Sequence, residues 1–309
     1  MPTLENILEI QKKDFSKSPY PSLKQRKEHL KLILKILSDY KQEWIDAIST
    51  DFGHRSKYET LMMELMQTQH LIKFVLSKLR RWMRPSTRNS GLLNIPAKSK
   101  IYHQPLGVVG IISPWNYPLD LALSPLVYAL ASGNRVMIKP SEHTPKTSEL
   151  LQKLISKYFD IEYVAICCGD VETGIAFSKL PFNHLMFTGS TKTGKLIMAS
   201  AAQNLTPVTL ELGGKSPTII GPDADISAAA RRICFGKSIN SGQTCIAPDH
   251  IYIPSGMVDS FVTEYRKSFE KMYPNGEEDQ GYSCIINQFH IDRLQELIDD
   301  AKSKGARIE

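Results

Sequence analysis

Cys245 is the residue best placed to do chemistry. It stands in Ser241-Gly242-Gln243-Thr244-Cys245-Ile246-Ala247-Pro248, read as a loop that follows a helix. A loop thiol can be reached by a substrate and activated as the thiolate by neighbouring N–H dipoles. An arbitrary free cysteine is more often a small buried hydrophobe, and the other four fit that description. Cys167 and Cys168 end a predicted strand, Cys234 falls on an apolar helix, and Cys284 lies in a Gly-Tyr-Ser loop. Five cysteines leave at least one free thiol, and without paired CxxC units no metal is expected. Glu211, in Leu210-Glu211-Leu212-Gly213-Gly214-Lys215, follows an apolar strand. Partial burial there would raise its pKa toward that of a general base. Asn116, in Pro114-Trp115-Asn116-Tyr117-Pro118, is an amide donor held between two prolines, either an oxyanion-hole donor or an ordinary turn residue.

Two further segments suit a dinucleotide. Phe187-Thr188-Gly189-Ser190-Thr191-Lys192-Thr193-Gly194 has the layout of a phosphate-binding strand-to-helix turn, with Thr191 at the middle glycine position of G-x-G-x-x-G. The same residues could simply cap a helix, and the turn alone supports both readings equally. Lys139-Pro140-Ser141-Glu142 follows a predicted strand. It is either a surface ion pair or a ribose-binding pair, in which Glu142 would repel a 2′-phosphate and favour NAD over NADP.

These residues need elements to position them. Residues 1–85 read as helical, with Leu30, Ile33, Leu34 and Leu37 at helical spacing. Residues 86–105 read as a linker or projecting arm rather than core. From Gly107 short apolar strands alternate with helices: Gly107–Ser113, Arg135–Lys139, Tyr163–Cys167, His184–Phe187 and Thr206–Leu210. That pattern predicts an α/β fold with a doubly wound, Rossmann-like parallel sheet, whose ligand lies at the carboxyl ends of the strands. A second α/β region begins after Gly213-Gly214, with a helix near Ile226–Lys237 and a strand at His250–Ile253. The expected domains are 1–211, cofactor-binding, and 212–309, catalytic. The net charge of +6 is spread over helical faces, which argues against nucleic-acid binding. The sequence contains no apolar run long enough to span a membrane and no signal-peptide core, so the expected location is the cytoplasm.

Taken together, the segments resemble the aldehyde dehydrogenase family, in particular its class 3-like branch. The matching residues are Pro114–Pro118, Lys139–Glu142, Phe187–Gly194, Leu210–Pro217 and Asn240–Asp249. The likeness runs from about residue 25 to the end of the chain. Asp51-Phe52-Gly53-His54-Arg55-Ser56 with Glu59-Thr60 resembles the coniferyl aldehyde dehydrogenase subgroup. The resemblance implies NAD, or NADP, as cofactor and oxidation of an aldehyde to an acid through a thioester. Cys245 matches the nucleophile, Glu211 the base that activates water, and Asn116 with the Cys245 N–H the oxyanion hole. Lys139 and Glu142 match the adenosine-ribose contacts and Gly189–Gly194 the turn beneath the pyrophosphate. Ser113, Pro114, Trp115 and Leu212, in or beside these motifs, complete the expected cofactor site.

The resemblance also implies an aromatic or medium-chain aldehyde, a homodimer or tetramer formed through the arm, and further sequence beyond Glu309. That sequence would carry a Glu-x-Phe-Gly-Pro motif, absent here, so the second domain is expected to be incomplete and the chain alone prone to aggregate. Two alternatives stay open: transfer of the acyl group to coenzyme A, which a hydrolytic Glu211 argues against, and a noncatalytic NAD-binding homologue.

Overall fold

A computed structural model of the chain describes residues 2–308. Two compact units emerge, one of Met1–Trp44 with Met63–Glu211 and the other of Ile45–Met62 with Leu212–Glu309. The amino-terminal region is helical: α1 (Leu4–Lys17), α2 (Leu23–Asp39), α3 (Lys41–Asp51), one turn α4 (Lys57–Glu59), a π-helical stretch Thr60–Met66, and α5 (Gln67–Trp82). In α2, Leu30, Ile33 and Leu37 of the apolar period are fully buried together with Ile36, while Leu34 is half-buried. A reciprocal Ser22–Gln25 capping box satisfies its first-turn donors. Residues 86–105 hold the antiparallel ribbon β1 (Ser86–Arg88) and β2 (Ser99–Ile101), whose intervening Leu92, Leu93 and Ile95 are exposed.

The first unit is organised by β3 (Val108–Ile112), α6 (Asp120–Ser132), β4 (Arg135–Lys139), α7 (Pro145–Tyr158), β5 (Val164–Ile166), α8 (Val171–Ser178), β6 (His184–Gly189), α9 (Thr191–Ala202) and β7 (Val208–Leu212). The strand order is β5-β4-β3-β6-β7, with β5–β4, β4–β3 and β3–β6 parallel. The anticipated α/β, doubly wound Rossmann-like sheet is therefore present. Every residue of β3, β4 and β5 is buried, as expected of strands covered by helices on both faces. The second unit contains β8 (Ser216–Ile219), α10 (Ile226–Ser238), β9 (Pro248–Tyr252), α11 (Val258–Met272) and α12 (Gln288–Ser303). β8 and β9 pair in parallel, and a small core of Ile220, Ala230, Ile233 and Phe261 joins the sheet to α10 and α11. Ile219 and Tyr252 of this pair remain exposed. Among the described residues no helix is long and apolar enough to cross a membrane.

Candidate functional site

Topology gathers the first group of predicted residues. The chain steps from β3 to β4 and β5 on one side, then returns to β6 on the other. Such a reversal of strand order opens a crevice at the carboxyl ends of the two central strands. Ile112 of β3 registers with both Lys139 of β4 and Phe187 of β6. The segments that follow, Ser113–Asn116, Pro140–Glu142 and Thr188–Gly194, thus leave the sheet side by side. At this edge Ser113 donates its N–H to Lys139 O at 3.1 Å, while its buried Oγ has no hydrogen-bond partner among the described residues. A buried, unsatisfied hydroxyl at a switch point fits a ligand that supplies the missing partner. Pro114 and Trp115 beside it are half-buried.

Ser190 caps α9, accepting the Thr193 N–H at 3.1 Å. Thr191 and Lys192 are exposed and Gly194 is buried. The capping reading is therefore realised, and it is compatible with a ligand because one cap leaves other first-turn N–H groups free. Gly189 has no room for a side chain, since a Cβ there would lie 2.5 Å from the Phe187 ring. Lys139 is a buried cation paired with Glu142 at the end of β4. Partial desolvation pushes the Glu142 carboxyl up, but the hydrogen bond and positive charge of Lys139 outweigh it and hold it below the usual carboxylate range.

Asn116 is half-buried in the link between β3 and α6. That link is anchored by a residue the sequence did not single out. Buried Glu64 accepts the Leu119 and Asp120 N–H groups at 2.7 and 3.1 Å, satisfying two donors at the start of α6. No local pattern announces it, because the contact spans 55 residues. Glu211 departs from expectation. It lies inside β7, not after it, and is exposed, because β7 is an edge strand that turns Thr209 and Glu211 outward together. The burial anticipated for it is absent. Leu212 ends the strand, half-buried.

Cys245 lies in the second unit, exposed, on a turn closed by Ala247 N–H to Thr244 O at 3.1 Å. Two of the cysteines read as buried are in fact exposed. Cys168 sits just past the end of β5 and Cys284 lies in a loop, so neither enters the core. Cys167 is buried, and desolvation pushes its thiol up to about 12.

The backbone leading to Cys245 is unusual. Asn240, Ser241 and Gly242 have φ values of 51°, 51° and 75° in succession. For the two non-glycine residues that conformation costs roughly 1–2 kcal/mol each, so surrounding contacts must hold it. Gly242 suits glycine, because its φ of 75° is left-handed and a Cβ would crowd Lys237 O at 3.0 Å. Gln243 braces the segment, with Nε2 donating to Asn240 O at 2.9 Å and to Cys284 O at 3.0 Å, and Oε1 accepting Ile286 N–H at 3.0 Å. On the other side of Cys245, Lys215 pairs with Asp249 and ties the start of β8 to β9. The Lys215 hydrogen bond holds the Asp249 carboxyl below the usual carboxylate range. Among the described residues no cluster suited to a metal ion is found.

The aldehyde dehydrogenase family model matches residues 3–309, and the chain belongs to that family. It is 47% identical over 305 residues to the protein named probable coniferyl aldehyde dehydrogenase of Pseudomonas aeruginosa, covering 99% of this chain and 64% of that protein. It is 41% identical over 305 residues to the coniferyl aldehyde dehydrogenase of a Pseudomonas species, covering 99% and 63%. Among solved structures, the substrate-bound Staphylococcus aureus AldH superposes with a TM-score of 0.94 at 36% identity, covering 98% of this chain and 66% of that one. The NAD+ complex of a Mycobacterium tuberculosis aldehyde dehydrogenase gives a TM-score of 0.86 at 26% identity, with 97% and 62% covered. The chain thus spans a little under two thirds of the length of these curated relatives.

Proposed function

We propose that this protein oxidises an aldehyde to a carboxylic acid with NAD, or NADP, through a thioester on Cys245. The observation that carries the reading is the switch-point edge, where an unsatisfied Ser113 hydroxyl, the Lys139–Glu142 pair and the amino end of α9 adjoin in a member of the aldehyde dehydrogenase family. Ser113, Pro114 and Trp115 would line the cofactor's path across the sheet edge. Lys139 and Glu142 would hold the adenosine ribose, residues 189–194 the pyrophosphate, and Leu212 the far side. When bound, the nicotinamide supplies a hydride acceptor.

The chain's own residues account for the remaining chemistry. The Cys245 thiolate adds to the carbonyl carbon, and the C=O π electrons move to oxygen. By the family resemblance Asn116 and the Cys245 N–H would stabilise that oxyanion, which reforms the carbonyl as hydride leaves the carbon. Glu211 takes a proton from water as the water attacks the thioester, and the C–S bond breaks to release the acid and restore the thiolate. The solvent exposure of Glu211 gives water direct access to its carboxylate.

The names of the relatives support an aromatic aldehyde, coniferyl aldehyde among them. The exposed β1–β2 arm supports a homo-oligomer, a dimer or tetramer, and the free cysteines suit the cytoplasm. Reduced cofactor should form from NAD and coniferyl aldehyde without coenzyme A, with one acid per NADH. A strict requirement for coenzyme A would favour acyl transfer, and absence of turnover with any aromatic or aliphatic aldehyde would overturn the reading.

A further inference from the structure

The segment Asp51–Thr60, noted in the sequence only as a subgroup likeness, folds within the second unit. There Glu59 does something specific. Both of its carboxylate oxygens accept the N–H of Asn240, at 3.1 Å each. Its Oε2 also accepts the Ser283 hydroxyl at 2.5 Å, and Ser283 Oγ accepts the Ser56 N–H at 3.1 Å. Ser241 in turn donates its hydroxyl to Ser283 O. Asn240 and Ser283 are fully buried. The carboxylate therefore grips the first residue of the left-handed run Asn240–Gly242 and, through Ser283, the second.

We infer that Glu59 is a positioning residue for Cys245: its carboxylate holds the strained Asn240–Gly242 turn, and the turn sets where the thiol stands. The inference rests on Cys245 being the nucleophile, as proposed above. Three features lead to it. The turn is intrinsically unfavourable for Asn240 and Ser241, so removing its anchor lets it relax toward ordinary right-handed or extended backbone. Only two residues separate Gly242 from Cys245, so relaxation there displaces the thiol. The carboxyl group serves two donors, the Asn240 N–H and the Ser283 hydroxyl, a firmer hold than a single hydrogen bond provides. No group is consumed or transferred, because the contacts of Glu59 are with the turn and with Ser283.

The test uses Glu59→Ala, Glu59→Gln and Ser283→Ala in the full chain, with three readouts: steady-state aldehyde oxidation, NAD affinity, and amide hydrogen exchange in residues 240–247. Glu59→Ala should lower kcat by about tenfold or more, with aldehyde KM and NAD Kd within about threefold of the parent. Exchange in residues 240–247 should quicken by at least tenfold. Glu59→Gln, which keeps the shape and one acceptor oxygen, should recover only part of both losses, whereas a merely space-filling role for Glu59 would give full recovery. Should Glu59→Ala fail to fold, Ser283→Ala carries the test with a smaller loss of about two- to fivefold in kcat. Unchanged kcat together with unchanged exchange in whichever variant folds would overturn the inference. If the parent itself oxidises no aldehyde, the proposed function fails on that arm alone, and the exchange measurement still decides whether Glu59 holds the turn.

Discussion

Glu142→Gln tests the cofactor edge most directly. The substitution keeps the size of the side chain and removes one negative charge beside Lys139, whose side chain is only 4% exposed. A 2′-phosphate on the adenosine ribose would lie near this pair. Taking a separation of about 6 Å and an effective dielectric of about 40, between a protein surface and water, one unit of charge repulsion is worth about 1.4 kcal/mol. Removing it, and leaving the Lys139 cation unopposed, should improve NADP affinity relative to NAD by roughly tenfold. The pH dependence has a defined sign. The folded-state pKa of Glu142 is depressed, so the stabilisation from its pairing is complete above the unfolded carboxylate value and is lost as pH falls through the folded value. Discrimination against NADP should therefore persist through neutral pH and weaken only in acid, and the Glu142→Gln variant should lack that acid dependence. Titration calorimetry with both dinucleotides, at neutral pH and in acid below the ordinary carboxylate range, gives the ratio. A change of less than twofold would show that Glu142 does not face the ribose.

Three further outcomes are expected. Cys245→Ser should lower turnover roughly a thousandfold or more while NAD affinity stays within about threefold, measured by NADH absorbance and calorimetry; near-normal turnover would remove Cys245 from its role. Glu211→Gln should give a burst of about one NADH per site followed by slow turnover, and an unchanged steady state would mean that another group activates the water. Iodoacetamide at pH 8, read by peptide mass, should label Cys245 and Cys284, label Cys168 more slowly because desolvation pushes its thiol up, and spare Cys167 and Cys234 in the native chain. A thiol at about 12 is thiolate in only about one molecule in ten thousand at that pH. Rapid labelling of Cys167 without unfolding would contradict its buried placement.

Short-range physics made much of this protein legible from its sequence. Alternation of short apolar runs with helical stretches is a local property, and it located β3, β4 and β6 and hence the parallel sheet. Motif spacing likewise placed Lys139, Glu142 and Gly189–Gly194 at strand ends, where the switch in strand order sets them side by side. The failures have a common cause. Whether Glu211 is buried depends on β7 lying at the sheet edge, a fact of strand order that no local pattern contains. Cys168 and Cys284 read as buried because free cysteines more often are, a tendency that carries no information about a thiol outside regular elements. Glu64 and Glu59 showed no signal of their bracing contacts, since their partners lie 55 and 181 residues away. Residue types and spacing thus determined which groups are available for chemistry and which secondary elements carry them. Only the tertiary structure decided which distant carboxylates brace the Asn116 and Cys245 segments, because a buried N–H takes whatever acceptor the packing brings within hydrogen-bond reach, regardless of its place in the chain.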